Sequence, residues 1–493
     1  MTSPHFVPRG QFIEGRWEDA GAGEVKILNP ATEEVLTVVP EATVGQTEAA
    51  LGAARRAFDD GPWPTMPPAE RGRLLTRMAD ALDRRRAEII ELIIAETGCP
   101  RRIATPLQVG YPLDVFRDFG ERIAPRLELE RPMLPHTRDR RSLGQGVVQR
   151  QPSGVAALLS AFNFPLGLNI YKAGPALTAG CTAVLKPSPY TPLSALILAE
   201  AAEEADLPPG VLNVVVGDVP VGERLTVSPL VDVVSFTGSD AVGRKVYQQA
   251  AGGLKRVILE LGGKSATIIA EDADLPRAAS SILTAMTLHA GQGCDLLTRT
   301  FVHRSRFDEL LGIVRGALAD VVIGDPRDQA TTLGPLMSAG QRDRVESYVE
   351  LGRSEGATVA AGGRRPTSPD RGFFYEPTLF TDATNNMRIA REEIFGPVAV
   401  MMAFETEDEA VALANDSEYG LGGAVWAHDP ARAYRIASRL RTGYVLVNGG
   451  GSPLSPFGPF GGLKASGIGR EWGESGVAEF LEDKSIVWSV VGG

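Results

Sequence analysis

The sequence predicts an α/β protein built from two units on parallel sheets. Three observations carry that expectation. Between residues 150 and 275, short apolar runs alternate with helical segments, the period of right-handed βαβ units. A second alternation follows through 301–324, 341–360 and 398–404 and closes with YVLVN at 444–448. The length, 493 residues, with 43% hydrophobic and 23% charged, supplies enough apolar material for a core of that size.

Taken in order, residues 1–40 read as short strands with polar turns at Asp19–Gly23 and a stop at Pro30. From Thr43 to Thr97 apolar residues recur at helical spacing (Ala49, Ala50, Ala53, Ala57, then Leu74, Leu75, Met78, Leu82), and the Gly61–Pro68 cluster divides the run. Residues 126–150 alternate polar and apolar, as a β-arm leaving the globule would. The apolar runs of this stretch are VAALLS (155–160), TAVLK (182–186), LNVVV (212–216), VDVVSF (231–236), RVILEL (256–261) and ATIIA (266–270), with helix-like segments such as 192–205 and 240–251 between them. Ligands of such sheets gather at the carboxyl ends of the strands, and three loops there read FNFP, KPSP and FTGS. A helix from Leu275 to His289 is expected to end in AGQGC. The tail Lys484–Val491 is strand-like without an evident partner of its own, and an unpaired edge demands cover, so an oligomer is expected.

Composition excludes several classes. Fifty Lys and Arg against 61 Asp and Glu give a net charge of −11, and an isoelectric point near 5.2 is wrong for tracking phosphates, so no nucleic-acid partner is expected. The uncharged stretch Gln151–Tyr171 is interrupted by Pro152, Asn163, Pro165, Gly167 and Asn169, which suits strand, loop and helix start better than a membrane span. Three cysteines cannot form a closed disulfide set, and the N-terminal residues lack an apolar signal core; both expectations point to the cytoplasm. None of the five histidines forms a metal-spaced cluster, so no metal is expected.

Cys294, in Gly291-Gln292-Gly293-Cys294, stands among small residues that leave backbone amides free around its sulfur; a nucleophilic thiolate and a buried structural cysteine both fit. Asn163 follows a strand in apolar AFNFP, where its amide could serve an oxyanion or merely a turn. Glu260 ends an apolar strand, which suits either a base with a raised pKa or a salt bridge to Lys264. Gly238 and Ser239 open a helix after a strand, a phosphate-binding position. His289, five residues before Cys294, permits a thiol hydrolase to be written down, but no orienting Asn or Asp accompanies it.

Together FNFPL (162–166), LKPSP (185–189), SFTGS (235–239), LELGGK (259–264), GQGC (291–294), EEIFGP (392–397) and SPFGPFGGLKASGIGRE (455–471), in that order, resemble the aldehyde dehydrogenase superfamily over essentially the whole chain. The resemblance implies a Rossmann-like cofactor domain (1–125 and 151–260), an α/β catalytic domain (261–480) and an oligomerisation arm (126–150 and 481–493), assembled as a dimer or tetramer. It implies oxidation of an aldehyde to a carboxylic acid with reduction of NAD(P)+, through a thiohemiacetal and a thioester on Cys294. Asn163 and the Cys294 backbone N–H would hold the oxyanion, and Glu260 would activate water. For the cofactor it points to Leu159, Ser160 and Phe162 beside the nicotinamide, Lys186 and Ser188 at the ribose, Gly222, Phe236, Gly238 and Ser239 along adenine and pyrophosphate, and Glu393 and Phe395 at the nicotinamide ribose. Glu471 resembles a family carboxylate near the proton path, with a helix cap as the alternative. A CoA-acylating member is the alternative enzyme, disfavoured by the retained Glu260; a catalytically idle binding protein on the same fold is the alternative of another class.

Three departures from the family pattern matter. Ala161-Phe162 replaces the commoner Pro-Trp before Asn163, a change of packing rather than chemistry. Pro189 stands where NAD-preferring members carry a ribose-binding Glu, leaving NAD or NADP, NAD slightly favoured. Asp295 follows the thiol directly and would disfavour a thiolate, so it is expected to point away. Leu168, Tyr171 and the uncharged Gly449–Phe457 loop are expected along the aldehyde channel, which favours an apolar or aromatic aldehyde.

Overall fold

The computed structural model describes residues 8–19, 21–139, 142–450 and 455–491. Residues 451–454 of the expected channel loop, 140–141 of the arm and 492–493 of the tail lie outside the described residues. Among the described residues, no helix is long and apolar enough to cross a membrane.

The first unit is an eight-stranded sheet. Its parallel centre runs Leu212–Val214, Thr182–Lys186, Val155–Leu159, Val233–Thr237, Arg256–Glu260. In chain order those strands lie 3-2-1-4-5, so the order reverses between Val155–Leu159 and Val233–Thr237, and a crevice opens beyond their carboxyl ends. Both strands are buried along their whole length, which is why they read as continuous apolar runs rather than alternating ones. The loops Ser160–Phe164 and Gly238–Ser239 leave at that crevice. Helix Pro165–Ala179 follows the first of them. Pro165 starts it where an N–H is dispensable, and Gly180 ends it at φ 101°, a left-handed conformation that suits glycine. The stretch Gln151–Tyr171 is thus strand, loop and helix start.

The second unit carries a seven-stranded sheet, parallel except at the Thr358–Ala361 edge: Thr358–Ala361, Thr378–Thr381, Val398–Phe404, Arg299–His303, Ala266–Ile269, Gly423–Trp426, Leu446–Val447. Gly467–Ile468, which the sequence reading placed with this unit, instead pairs antiparallel with Leu259–Glu260 on the first sheet. Phe460, Trp472, Val477 and Phe480 pack into the first unit's core with it. The chain therefore crosses back after its second sheet and walls the end of the strand that carries Glu260.

The tail has a partner after all. Leu481–Val491 pairs antiparallel with Ser142–Pro152 along eleven register positions, and Glu130–Pro132 and His136–Asp139 pair on the other side of Ser142–Pro152. Sequence inspection missed this because the two strands lie more than 300 residues apart.

Candidate active site

The expected helix before the thiol ends at Thr287, and a tight turn over Leu288–Gly291 follows. His289, Ala290 and Gly291 all have positive φ, at 47°, 54° and 73°. Gly291 is required there: a Cβ would fall 2.0 Å from the Gly396 carbonyl oxygen. This turn brings Cys294 to the wall of a cavity of about 360 Å³, lined also by Asn163, Glu260 and Thr237. The loop after Glu260 packs directly against the thiol's backbone. A Cβ on Gly263 would lie 2.4 Å from the Cys294 carbonyl oxygen, and one on Gly262 would lie 2.3 Å from the Glu393 carboxylate. The paired glycines of LELGGK thus make one of the close contacts between the two units.

Electrostatics in the cavity are set by burial. Desolvation and then the facing Glu260 and Asp295 carboxylates push the Cys294 thiol well above its ordinary pKa. Desolvation and then Glu471 push Glu260 up as well. Neither Glu260 oxygen meets a nitrogen or oxygen donor, and the polar group beside them is the Cys294 thiol. The salt bridge to Lys264 is therefore absent; burial takes Lys264 down to about 7, and the carboxylates acting on it are Glu393 and Glu392. The Asn163 amide donates to the Gln292 carbonyl at 3.0 Å, and its own Oδ1 is buried without a partner.

Asp295 does not point away. It lines the same cavity and accepts from the Tyr444 hydroxyl at 2.9 Å. A half-buried carboxylate is tolerable there because that phenol meets it. His289 is buried, packs edge-on to Phe164 and has no hydrogen bond at either ring nitrogen. Burial lowers it to about 4, and nothing links it to the sulfur as a base. Cys99 and Cys181 are buried with raised pKa values, Cys181 to about 12.

The other expected residues gather around the crevice. Leu159 and Phe236 sit at paired register on the two central strands. Lys186 is buried, donates to the Pro187 carbonyl at 3.3 Å and is lowered to about 8 by burial, with Asp218 and Glu41 opposing that shift. Its stem borders Gly222. Ser239 caps the helix Asp240–Ala251, Ser188 accepts from the Tyr190 N–H, and Gly238 donates to the Glu260 carbonyl. The Ser160 hydroxyl turns inward to Asn169 at 2.7 Å. From the second unit, Glu393 accepts from the Gly263 N–H at 3.1 Å and is raised to about 7 by burial. Phe395 meets Phe162 edge to face at 5.7 Å, so both units frame one opening.

The sequence does not show the ion pair of Lys172 and Glu471, which is 2.8 Å long and buried. Lys172 also donates to Ser235 at 3.0 Å. A lone lysine inside PLGLNIYKAGPALTAG was the available signal, because a charge in a fully buried helix needs a partner. Gln292 was also passed over; its amide donates to the His289 carbonyl and accepts from the Met337 N–H.

A doubly wound sheet with a crevice at its switch point, joined to a half-buried thiol facing a carboxylate, is an architecture suited to an enzyme that binds a dinucleotide. The model of the aldehyde dehydrogenase family matches residues 17–486. The geranial dehydrogenase of Castellaniella defragrans is 42% identical over 476 residues, covering 96% of this chain and 98% of that protein. The betaine aldehyde dehydrogenase of Bacillus subtilis is 38% identical, covering 96% of each. A Mycobacterium tuberculosis aldehyde dehydrogenase complexed with NAD+ superposes with a TM-score of 0.93 at 42% identity, covering 97% of this chain and 98% of that one. The chain belongs to the aldehyde dehydrogenase family, and it is an NAD(P)-dependent enzyme that oxidises aldehydes to acids.

Proposed function

We propose that Cys294 is the nucleophile, Asn163 and the Cys294 backbone N–H the oxyanion donors, and Glu260 the base. The observation that carries this reading is the single cavity holding all three side chains. The raised thiol gives up its proton as sulfur attacks the aldehyde carbon, and Glu260, which faces the thiol, takes that proton and releases it to solvent before it acts again as a base. The carbonyl oxygen then becomes an alkoxide, and donors placed for it are worth roughly 10²–10³ in rate. Bound NAD(P)+ supplies the hydride acceptor. Collapse of the thiohemiacetal leaves a thioester on Cys294, and Glu260 deprotonates the water that releases the carboxylic acid.

The crevice suits the cofactor: Lys186 is a buried ammonium bonded only to the carbonyl of the next residue, and Thr237 Oγ1 is buried without a partner. Leu159, Ser160, Phe162, Phe236, Gly222, Gly238 and Ser239 would form its bed, with Ser188 beside Lys186 and with Glu393 and Phe395 closing over it. Glu41 and Asp218, the carboxylates acting on Lys186, would repel an extra phosphate on the adenosine ribose, which supports NAD over NADP.

The aldehyde lies against Leu107, Tyr111, Leu168, Tyr171, Trp426 and Phe460. The charged residues lining this cavity are Glu260, Asp295 and Glu471, all acidic, which argues against a carboxylate-bearing semialdehyde. Burial raises Glu260 and Asp295, and the rest of the lining is largely apolar and aromatic. We therefore read the substrate as a neutral apolar or aromatic aldehyde, as the geranial dehydrogenase among the relatives is named for, with the cationic aldehyde of the betaine aldehyde dehydrogenase as the competing class. The deciding experiment follows reduced nicotinamide with neutral aliphatic, aromatic, carboxylate-bearing and quaternary ammonium aldehydes. The expected kcat/KM for the neutral compounds exceeds both charged classes by roughly tenfold or more; a preference for the cationic aldehyde would overturn the substrate reading. The unpaired cysteines fit the cytoplasm. Exposed Ile486, Val487 and Trp488 on the arm support a homo-oligomer, a dimer or tetramer, joined there.

A further inference from the structure

The loop that carries Asn163 has little structure of its own. It joins the strand Val155–Leu159 to the helix Pro165–Ala179, and two successive carbonyls in it are bound by side chains from elsewhere. Thr191 Oγ1 donates to the Phe162 carbonyl at 3.1 Å, and Gln108 Nε2 donates to the Asn163 carbonyl at 2.8 Å. Gln108 is fully buried, and Asn163 nearly so. No water can replace a donor lost at that depth, so the Asn163 carbonyl depends on this one amide.

The setting of Gln108 is unusual in two ways. It lies in a π-helical stretch, Ala104–Gly110, whose wider turn changes which side chains face inward. On either side of it, Leu107 and Tyr111 line the aldehyde cavity. Its orientation follows from chemistry, since only the NH₂ end can meet a carbonyl, and the other end, Oε1, closes no hydrogen bond of its own, the buried Cys99 thiol being the polar group beside Gln108. A buried oxygen with no better donor than a thiol nearby is a cost to folding that an apolar side chain of similar size would avoid. What the glutamine provides in return is the hold on Asn163.

We propose that Gln108 is a positioning residue for the oxyanion donor. Asn163 is fixed at two ends, its backbone by Gln108 and its side-chain amide by the Gln292 carbonyl at 3.0 Å. An oxyanion donor has to sit within about 0.5 Å of its productive place to act on the transition state. Releasing the backbone end lets the amide drift while leaving the substrate and cofactor surfaces as they are.

The proposal rests on the reading of Asn163 as an oxyanion donor, and the test separates the two. Single-turnover formation of reduced nicotinamide is measured in the full-length enzyme and in Gln108→Leu, Gln108→Glu, Asn163→Ala and the Gln108→Leu/Asn163→Ala pair, alongside cofactor affinity by fluorescence titration. Gln108→Leu is expected to slow the transfer roughly 5- to 20-fold, with cofactor affinity and aldehyde KM within about threefold of the parent. In the Asn163→Ala background the same change is expected to slow it by less than about twofold, because the group being positioned is gone. Gln108→Glu, which keeps a donor only while its acid is protonated, is expected to recover most of the rate at low pH and lose it as pH rises. A parental rate in Gln108→Leu, or an equal loss in both backgrounds, overturns the positioning role. An undiminished rate in Asn163→Ala overturns the oxyanion reading and the proposal with it.

Discussion

At the scale of single residues, the thiol is the weak acid of this pocket and is kept protonated by its surroundings. Burial and the carboxylates of Glu260 and Asp295 all act against a thiolate at Cys294. Removing one of those charges relieves the thiol, so Asp295→Asn should move the pH midpoint of iodoacetamide alkylation downward; a midpoint that stays put or rises would show that Asp295 does not act on the sulfur. Cys294→Ser should abolish oxidation while cofactor titration is unchanged. Glu260→Gln should allow one burst of reduced nicotinamide, itself slowed because the thiol loses its proton acceptor, followed by still slower turnover because water activation is lost. Normal steady-state turnover in that variant removes Glu260 as the base. The raised pKa of Glu260 also fixes a sign: thioester hydrolysis should speed up as pH climbs through that raised value and fall as the carboxyl is protonated.

At the scale of elements, Glu96 holds the first turn of the helix Leu193–Glu204, accepting from the Leu193 N–H at 3.0 Å, and burial raises it to about 8. A carboxyl raised on folding contributes stability that is whole below its unfolded pKa of about 4.5 and is lost as pH rises toward 8. Glu96→Gln keeps the acceptor and cannot ionise. Its Tm should match the parent near pH 4 and exceed it near pH 9. A constant offset across that range would mean the group does not ionise on this scale. The buried pair of Lys172 and Glu471 makes a second element-level case, tying the helix Pro165–Ala179 to the returning segment that walls Glu260. Lys172→Met strands a buried carboxylate and should cost about 3–5 kcal/mol in denaturant unfolding, with much of it recovered by adding Glu471→Leu.

At the scale of the whole molecule, two units close on one crevice because the loop after Glu260 touches the backbone of Cys294 without side chains between them. The arm is a separate device, held within the chain by the long pairing of 142–152 with 481–491. Ile486, Val487 and Trp488 remain exposed on it. Trp488→Asp should lower the mass seen by light scattering while leaving the unfolding transition in place; an unchanged mass would locate the assembly surface elsewhere.

The sequence by itself determined the alternating α/β order, the buried strands and the loops that carry Asn163, Gly238 and Glu260, because apolar periodicity and turn residues are local properties of the chain. Its motifs also singled out Cys294 and the glycines beside it. Tertiary structure alone decided that Asp295 lines the cavity, that Lys172 meets Glu471, that Gln108 reaches the Asn163 carbonyl and that the tail pairs with the arm. Each of these joins residues far apart in the chain or turns on a side chain's direction, and both are set by packing, which no local pattern encodes.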